Sequence, residues 1–414
     1  MTTGAQSIPA HVPPEVVVDY DPVDGPEIKA FPPGALDKIR EEHRIFYTPF
    51  KGGYWFPTRH EDIRSVYERP EIFAQGGTLT EPNFRKVMIP LTLNGDDHRK
   101  WRRILQPIFT PGRIKQLEGF LREVARDRLR EIAPLGACDV SMDYALQIPA
   151  ATFSGLMGLP REEFPTFNQL AFDLVYTPEM VRLKEGDEAG RRFRDDRTEE
   201  ILELVGNLIP QRRADPGDDV LSYLVDVELE GRKLTDEEIV NIGYLLFIAG
   251  TDSTGAMMSY SLHALADRPD LRTRLIEDPE SVPTAVEELI RYHAFVNSGR
   301  DVLEDVELCG VTLKRGDRVL LPTGSGNHDP RQFERADEID LDRKVVKTVT
   351  FGAGPHRCLG APLARLEVRI GIEEFLKVIP EFQVAPGEEM TYAFMHSKSV
   401  PLHVPFVYPP TRVD

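Results

Sequence analysis

Cysteine is nearly absent from this chain. Cys138, Cys309 and Cys358 are the three among 414 residues, an odd number spread too widely for a disulfide framework or a zinc knuckle. Reduced thiols of this kind suit the cytoplasm. Long apolar runs are missing too: Leu245 to Ala249 near the middle is far too short to cross a bilayer, and Met1-Thr2-Thr3-Gly4 holds no basic or apolar leader. Positive charge is in deficit, with 50 Lys and Arg against 68 Asp and Glu and a net charge of −18. That balance excludes a general nucleic-acid binder, because phosphate contacts need a basic face. The expectation is a cytoplasmic protein with no membrane span and no nucleic-acid partner.

With 41% hydrophobic and 29% charged residues, the composition is that of a soluble globular chain. Its length alone would suggest two or three domains, but large single-core enzymes reach this size, and one unit over 1–414 is expected. Prolines 9, 13, 14, 22, 26, 32 and 33 crowd the start. Residues 1–34 are therefore expected to wrap the body as an extended arm. Ile45-Phe46-Tyr47 and Gly53-Tyr54-Trp55-Phe56 read as two short strands around a Lys51-Gly52-Gly53 turn. From Asp96 a helix is expected, with acidic residues in its first turn and His98 and Arg102 on one face. The stretch Pro160 to Asp187 mixes aromatics with breakers, which suits a mobile lid or ordinary core packing equally.

A long helix opens at Thr235, where Thr235 and Glu238 form a capping-box pattern, and no proline interrupts it to about Ala266. At ~1.5 Å per residue it would run on the order of 45 Å. Its middle, Ala249-Gly250-Thr251-Asp252-Ser253-Thr254-Gly255, sets poor helix formers and a carboxylate directly after an apolar stretch. A distortion is expected there, with hydroxyls and freed carbonyls able to hold water. Glu288 and Arg291 lie three apart on a later helical face. Val302 to Leu321 reads as short strands with a Lys314-Arg315-Gly316-Asp317 turn; Cys309 falls in that pattern and Cys138 in a Leu135-Gly136-Ala137 turn. The tail from Pro380 to Val407 reads as final strands.

The densest pattern is Phe351-Gly352-Ala353-Gly354-Pro355-His356-Arg357-Cys358-Leu359-Gly360, followed by Ala361-Pro362-Leu363-Ala364. A cysteine stands where a glycine-rich loop becomes a helix. The glycines permit positive φ and close approach to a flat partner, while unpaired amides and the helix dipole favour a thiolate, the metal-binding form. An ordinary half-buried cysteine is the bland reading of such a residue taken alone.

The full pattern, Phe-Gly-x-Gly-x-His-x-Cys-x-Gly, resembles the haem loop of the cytochromes P450, and the proline-rich start and the Ile379-Pro380-Glu381-Phe382 tail are similar to the soluble camphor-hydroxylating bacterial class. The resemblance implies a mostly α fold with a minor β part, a triangular helical prism with its haem between the long central helix and the cysteine loop. It implies a b-type haem (heme b, iron protoporphyrin IX) with Cys358 as proximal thiolate. Phe351, Gly352 and Gly360 would shape the loop, and His98, Arg102, Arg300 and His356 would bind propionates. Asp252 with Ser253 or Thr254 would handle protons for O2 activation; the family usually has threonine directly after the acid, and here serine stands there. Glu288 and Arg291 would be a structural pair.

Met88, Leu91, Leu245, Ile248, Ala249, Val296, Asn297 and Met395 would line a pocket for a small apolar substrate of terpenoid or norisoprenoid size. Lys86 would fall near it, pointing to solvent because burying its charge is costly. The implied activity is a monooxygenase, acting as a monomer, with electrons from an iron–sulfur ferredoxin served by an NAD(P)H ferredoxin reductase. Arg99, Lys100, Arg103, Arg357 and Arg365 would form the ferredoxin dock. A thiolate-haem isomerase, dehydratase or peroxide-using enzyme and a haem sensor are the competing readings, and the retained acid–hydroxyl pair speaks against both.

Overall fold

The computed structural model describes residues 8–23, 25–76, 88–344, 347–395 and 398–413. Lys86 lies outside them. In chain order the elements that matter are β1 (Ile45–Thr48), β2 (Tyr54–Pro57), α1 (His60–Glu68), β3 (Phe73–Gln75), α2 (Gly95–Leu105), α3 (Glu118–Ile132), α4 (Gln147–Leu156), α5 (Phe164–Val175), α6 (Thr177–Glu185) and α7 (Asp187–Ala214). Then come α8 (Asp236–Thr251), α9 (Ser253–Asp267), α10 (Val282–Tyr292), β4 (Asn297–Val302), β5 (Arg318–Pro322), α11 (Ala361–Val378), β6 (Thr391–Met395) and β7 (Lys398–His403). The fold is mostly helical with small sheets, as expected.

The five-stranded sheet has the order β1-β2-β5-β4-β3. β4 pairs antiparallel with both β5 and β3, so Arg300 sits opposite Val319 on one side and Gln75 on the other. Trp55, Ile63, Phe73, Val319 and Leu321 form the apolar cluster beneath it. The larger cluster joins α3, α4, α8, α9, α10 and α11 through buried residues such as Leu121, Ile148, Phe247, Met258, Leu289 and Phe375. Each such side chain contributes about 1.5–3 kcal/mol by leaving water.

Two local expectations change, and of two open readings one is found. The arm is not extended throughout: Pro14–Val16, Pro26–Ala30 and Pro32–Gly34 are helical turns, each with proline in the first turn where its missing N–H is no loss. The stretch after Pro160 is two packed helices, α5 and α6, with Phe167 and Tyr176 in the main core. Cys138 lies in the short strand Ala137–Asp139, and Cys309 in the turn between the strands Val306–Leu308 and Val311–Leu313 with φ of 53°.

The capping box at Thr235 forms, with Glu238 N donating to Thr235 Oγ1 at 3.2 Å and Thr235 N donating to Glu238 Oε2 at 2.8 Å. The long helix then breaks where the residue pattern predicts: α8 ends at Thr251, α9 starts at Ser253, and Asp252 sits between with φ −99°. Thr251 and Ser253 hydroxyls donate back to the carbonyls of Phe247 and Ala249, competing with the helical ladder.

Two buried carboxylates tie the core together. Arg291 donates to both oxygens of Glu288 at 2.8 Å, and to the carbonyls of Asn327, Ala336 and Glu338, with neither side chain exposed. Glu288 also accepts from Asp340 N and Arg343 Nε. The pair thus pins the segment leading to the cysteine loop onto α10. Glu367 on α11 is buried against the hydroxyls of Thr152 on α4 and Thr254 on α9, and burial pushes its carboxyl up to about 8.

Arg291→Met leaves Glu288 without its bidentate partner and should lower stability by about 3–5 kcal/mol in denaturant unfolding; a loss below about 1 kcal/mol would remove the pair from this role. Glu367 holds its proton from its ordinary 4.5 up to about 8 in the native state. Stability should therefore fall as pH rises across that window, by on the order of 2–4 kcal/mol for this group. Glu367→Gln should flatten the slope between pH 5 and 8, and an unchanged slope would assign it to other groups.

Candidate active site

The cysteine loop is set by two left-handed glycines, Gly352 at φ 69° and Gly354 at φ 65°. A Cβ at Gly354 would collide with the Tyr67 carbonyl, so the loop lies directly on α1. Cys358 N donates to Phe351 O at 2.8 Å and closes the turn. Gly360 caps α11, Pro362 falls in its first turn, and the amides of Gly360 and Ala361 point at the Cys358 sulfur. Burial nevertheless pushes the thiol up, more than these amides, Arg102 and Arg365 pull it down. The loop alone does not make the thiolate, contrary to the expectation from its sequence: desolvation wins, and the anion needs a stronger positive partner.

Cys358 is accessible while Ala361 and Leu363 after it are buried. Ala249 is likewise accessible near the end of α8, and Ile248, Gly250 and Ser253 are half-accessible, although Phe247 and Thr251 beside them are buried. Since α9 packs against α11, accessible positions where both helices begin are those expected of a cleft between the helix break and the loop.

Nitrogen donors gather on one side of it. The rings of His98, on α2, and His356 stack with centroids 3.9 Å apart. Arg102, one turn after His98, donates to the Arg357 carbonyl. Arg300 is buried, bonded to Gly299 O at 2.7 Å and stacked on the Tyr67 ring at 5.0 Å. Among the described residues, no carboxylate pairs with any of the four. Burial first, then the neighbouring cations, lowers His98 to about 4 and His356 to about 3. A half-buried and a fully buried guanidinium without counter-ions, beside two neutral imidazoles, form a receptor for carboxylate groups.

On the other side, Asp252 is buried and both of its oxygens meet the Lys398 ammonium, at 2.7 and 2.5 Å. The Tyr176 hydroxyl is buried without a hydrogen-bond partner among the described residues, and the Asp252 charge adds to the burial that raises it. The two candidate hydroxyls part company: Ser253 Oγ donates to Ala249 O at 3.2 Å on the cleft side, whereas Thr254 turns inward to Glu367.

The expected pocket residues are brought together only in part. Ile248, Ala249 and Ser253 share the cleft wall, while Leu245 packs into the core. Val296 is half-buried and bridges Lys398, and Asn297 opens β4. Met88 is half-buried against the main core, and Leu91 is exposed at 36%. Met395 ends β6, and its side chain and residues 396–397 lie outside the described residues. Glu367 is a functional candidate that residue patterns alone missed, although it left a trace, an acid between Leu363 and Ile370 on the buried face of α11. The Met395-His396-Ser397-Lys398 tip of the tail is expected to reach the pocket, but the partner of Lys398 is not legible, since it lies 146 residues away.

The family model described as cytochrome P450 matches residues 175–282 and 280–402. Similar proteins include the mycinamicin IV hydroxylase/epoxidase of Micromonospora griseorubida, 33% identical over 91% of this chain and 94% of that one, and the vitamin D(3) 25-hydroxylase of Pseudonocardia autotrophica, 31% identical over 82% and 84%. The crystal structure of cytochrome P450 CYP101C1 superposes with a TM-score of 0.87 at 30% identity, covering 97% of this chain and all of its own. That of CYP101J2 gives 0.86 at 29%, covering 98% of this chain. No helix among the described residues is long and apolar enough to cross a membrane. With the family's cysteine loop and broken central helix in place, and relatives matched over most of their length, this chain belongs to the cytochrome P450 family of haem enzymes that use O2, and is a P450 monooxygenase.

Proposed function

We propose that the chain hydroxylates a small apolar compound, with Cys358 as the axial ligand of a b-type haem and a ferredoxin as electron donor. The observation that carries it is Cys358 at the N-terminus of α11, an exposed residue whose sulfur lies under two amides. The thiol that burial makes reluctant to ionise suits a site where iron supplies the missing positive charge. His98, Arg102, Arg300 and His356 would take the two propionates, which supply the carboxylates that this cluster lacks. Phe351, Gly352 and Gly360 would shape the loop that holds the macrocycle.

When bound, haem supplies O2 activation and the transfer of one oxygen atom into a C–H bond. This chain's residues then do three things. The Ser253 hydroxyl, on the cleft side, holds and passes a proton; Asp252 renews it from outside; Thr254 keeps Glu367 in place behind the helix. Serine lacks the methyl that fixes a threonine rotamer, so its hydroxyl is less firmly aimed. The cleft wall of Ile248, Ala249 and Val296 offers apolar surface, and the ammonium of Lys398 is neutralised by Asp252, so a compact hydrocarbon-rich substrate of terpenoid or norisoprenoid size fits best. One cytoplasmic monomer of a single catalytic unit is the working state, with an NAD(P)H ferredoxin reductase upstream.

The donor surface is narrower than its sequence implies. Arg99 pairs with Asp96, Lys100 with Glu230 and Arg365 with Glu287, whereas Arg103 and Arg357 are exposed and form no ion pair among the described residues. An acidic ferredoxin would therefore be steered mainly by Arg103 and Arg357, with association weakened by salt.

Two tests follow. Cys358→Ser should abolish the red-shifted band of the reduced protein under carbon monoxide while Cys309→Ser keeps it; the reverse would overturn the assignment. Ser253→Ala should divert electrons to peroxide, cutting product per electron several-fold, with substrate affinity read by spectral titration within twofold of wild type. If only Thr254→Ala did so, the working hydroxyl would be Thr254. The same titration across terpenoids, fatty acids and aromatic acids tests the substrate class, and a clear preference for carboxylates would overturn it.

A further inference from the structure

Lys398 is the one cation on Asp252 among the described residues, and it comes from the C-terminal hairpin. Its ammonium takes both carboxylate oxygens and so holds the carboxylate toward the hairpin. The pair is enclosed: the Asp252 side chain is 2% exposed and that of Lys398 16%. The main chain of Lys398 also bridges Val296, directly before Asn297 and β4. A residue that clamps the acid is thus built into the same stretch of backbone as the cleft wall. A second station waits nearby, the Tyr176 hydroxyl at the junction of α5 and α6, buried and without a partner among the described residues.

We infer that Lys398 is a positioning residue that locks Asp252, and that a substrate filling the cleft against Val296 draws the Lys398 end of β7 back and releases the carboxylate. The freed Asp252 then has one oxygen for a proton from solvent, with the Tyr176 hydroxyl as donor to the other, and passes that proton to the Ser253 hydroxyl. Proton supply is in this way tied to how fully the pocket is occupied. This rests on the monooxygenase reading.

The lock has a thermodynamic consequence that does not need turnover. A ligand that opens a contact binds more weakly by the free energy of that contact, and removing the contact returns the affinity. The double variant Asp252→Asn/Lys398→Met leaves no buried charge unpaired, and should bind the substrate about three- to tenfold more tightly than wild type, the range expected for coupled neighbouring groups. Lys398→Arg should restore wild-type affinity. Equal affinity in the double variant and wild type would overturn the lock, as would tightening that Lys398→Arg retains.

The kinetic arm uses a small-molecule photoreductant, so that no protein donor enters. Oxygen uptake with the pocket empty, relative to the pocket filled, should rise severalfold in Lys398→Met and return to the wild-type ratio in Lys398→Arg. An unchanged ratio in Lys398→Met would reduce Lys398 to a structural strut. Failure of the monooxygenase reading would look different: the wild-type protein would give no product with any compound that shifts its spectrum, whatever the affinities of the variants.

Discussion

Desolvation is the constraint on which the centre of this molecule depends. The carboxylates of Asp252, Glu288 and Glu367 and the guanidiniums of Arg291 and Arg300 are buried, and the thiol of Cys358, although its residue is exposed, is desolvated by the atoms packed around it; each must be neutralised, paired or left for a ligand. The structure uses all three answers. Glu288 and Arg291 satisfy each other and five further groups, so they do nothing but hold the fold. Glu367 keeps its proton. Cys358, Arg102 and Arg300 have no oppositely charged partner among the described residues, and that lack is the ground on which they are proposed to hold the cofactor.

The break at Asp252 follows from the same logic. A continuous helix through this region would satisfy every backbone group internally and offer the cleft nothing but apolar side chains. Placing Gly250, Thr251, Asp252 and Ser253 in succession lets hydroxyls take carbonyls that the ladder would otherwise hold. Separation into α8 and α9 turns adjacent residues to different neighbours: Asp252 to the hairpin, Ser253 to the cleft, Thr254 to α11. Three chemically similar positions in sequence thereby acquire three different surroundings.

What could be read from the sequence was local. The left-handed glycines and capped helix of the cysteine loop, the capping box at Thr235, the helix break and the Glu288-x-x-Arg291 pair each lie within a few residues, where propensity and spacing apply. Partnership across the chain was not legible. Nothing in the tail ties Lys398 to Asp252, and nothing around Lys100 and Arg365 reveals Glu230 and Glu287 as their neutralising partners. Prolines misled at the start, since a proline that cannot sit inside a helix is at home in its first turn.

Long-range placement also explains why the C-terminal hairpin belongs to the site at all. Among the described residues β6 and β7 form a two-stranded sheet of their own. The far end of β7 is held by Val400 in the main core, the Ser141 hydroxyl on the Pro401 carbonyl and His403 on Asp139. Its Lys398 end is held by the Tyr260 hydroxyl on the Ser399 carbonyl, the bridge to Val296 and the ion pair to Asp252. A two-stranded ribbon is marginal alone, so its attachments decide which part of it can shift. Those at the Lys398 end fall on α9, on Val296 directly before the strand that carries Arg300, and on the acid in the helix break. A displacement at Val296 therefore reaches Asp252 through a single residue, with no need for rearrangement in the packed core behind it.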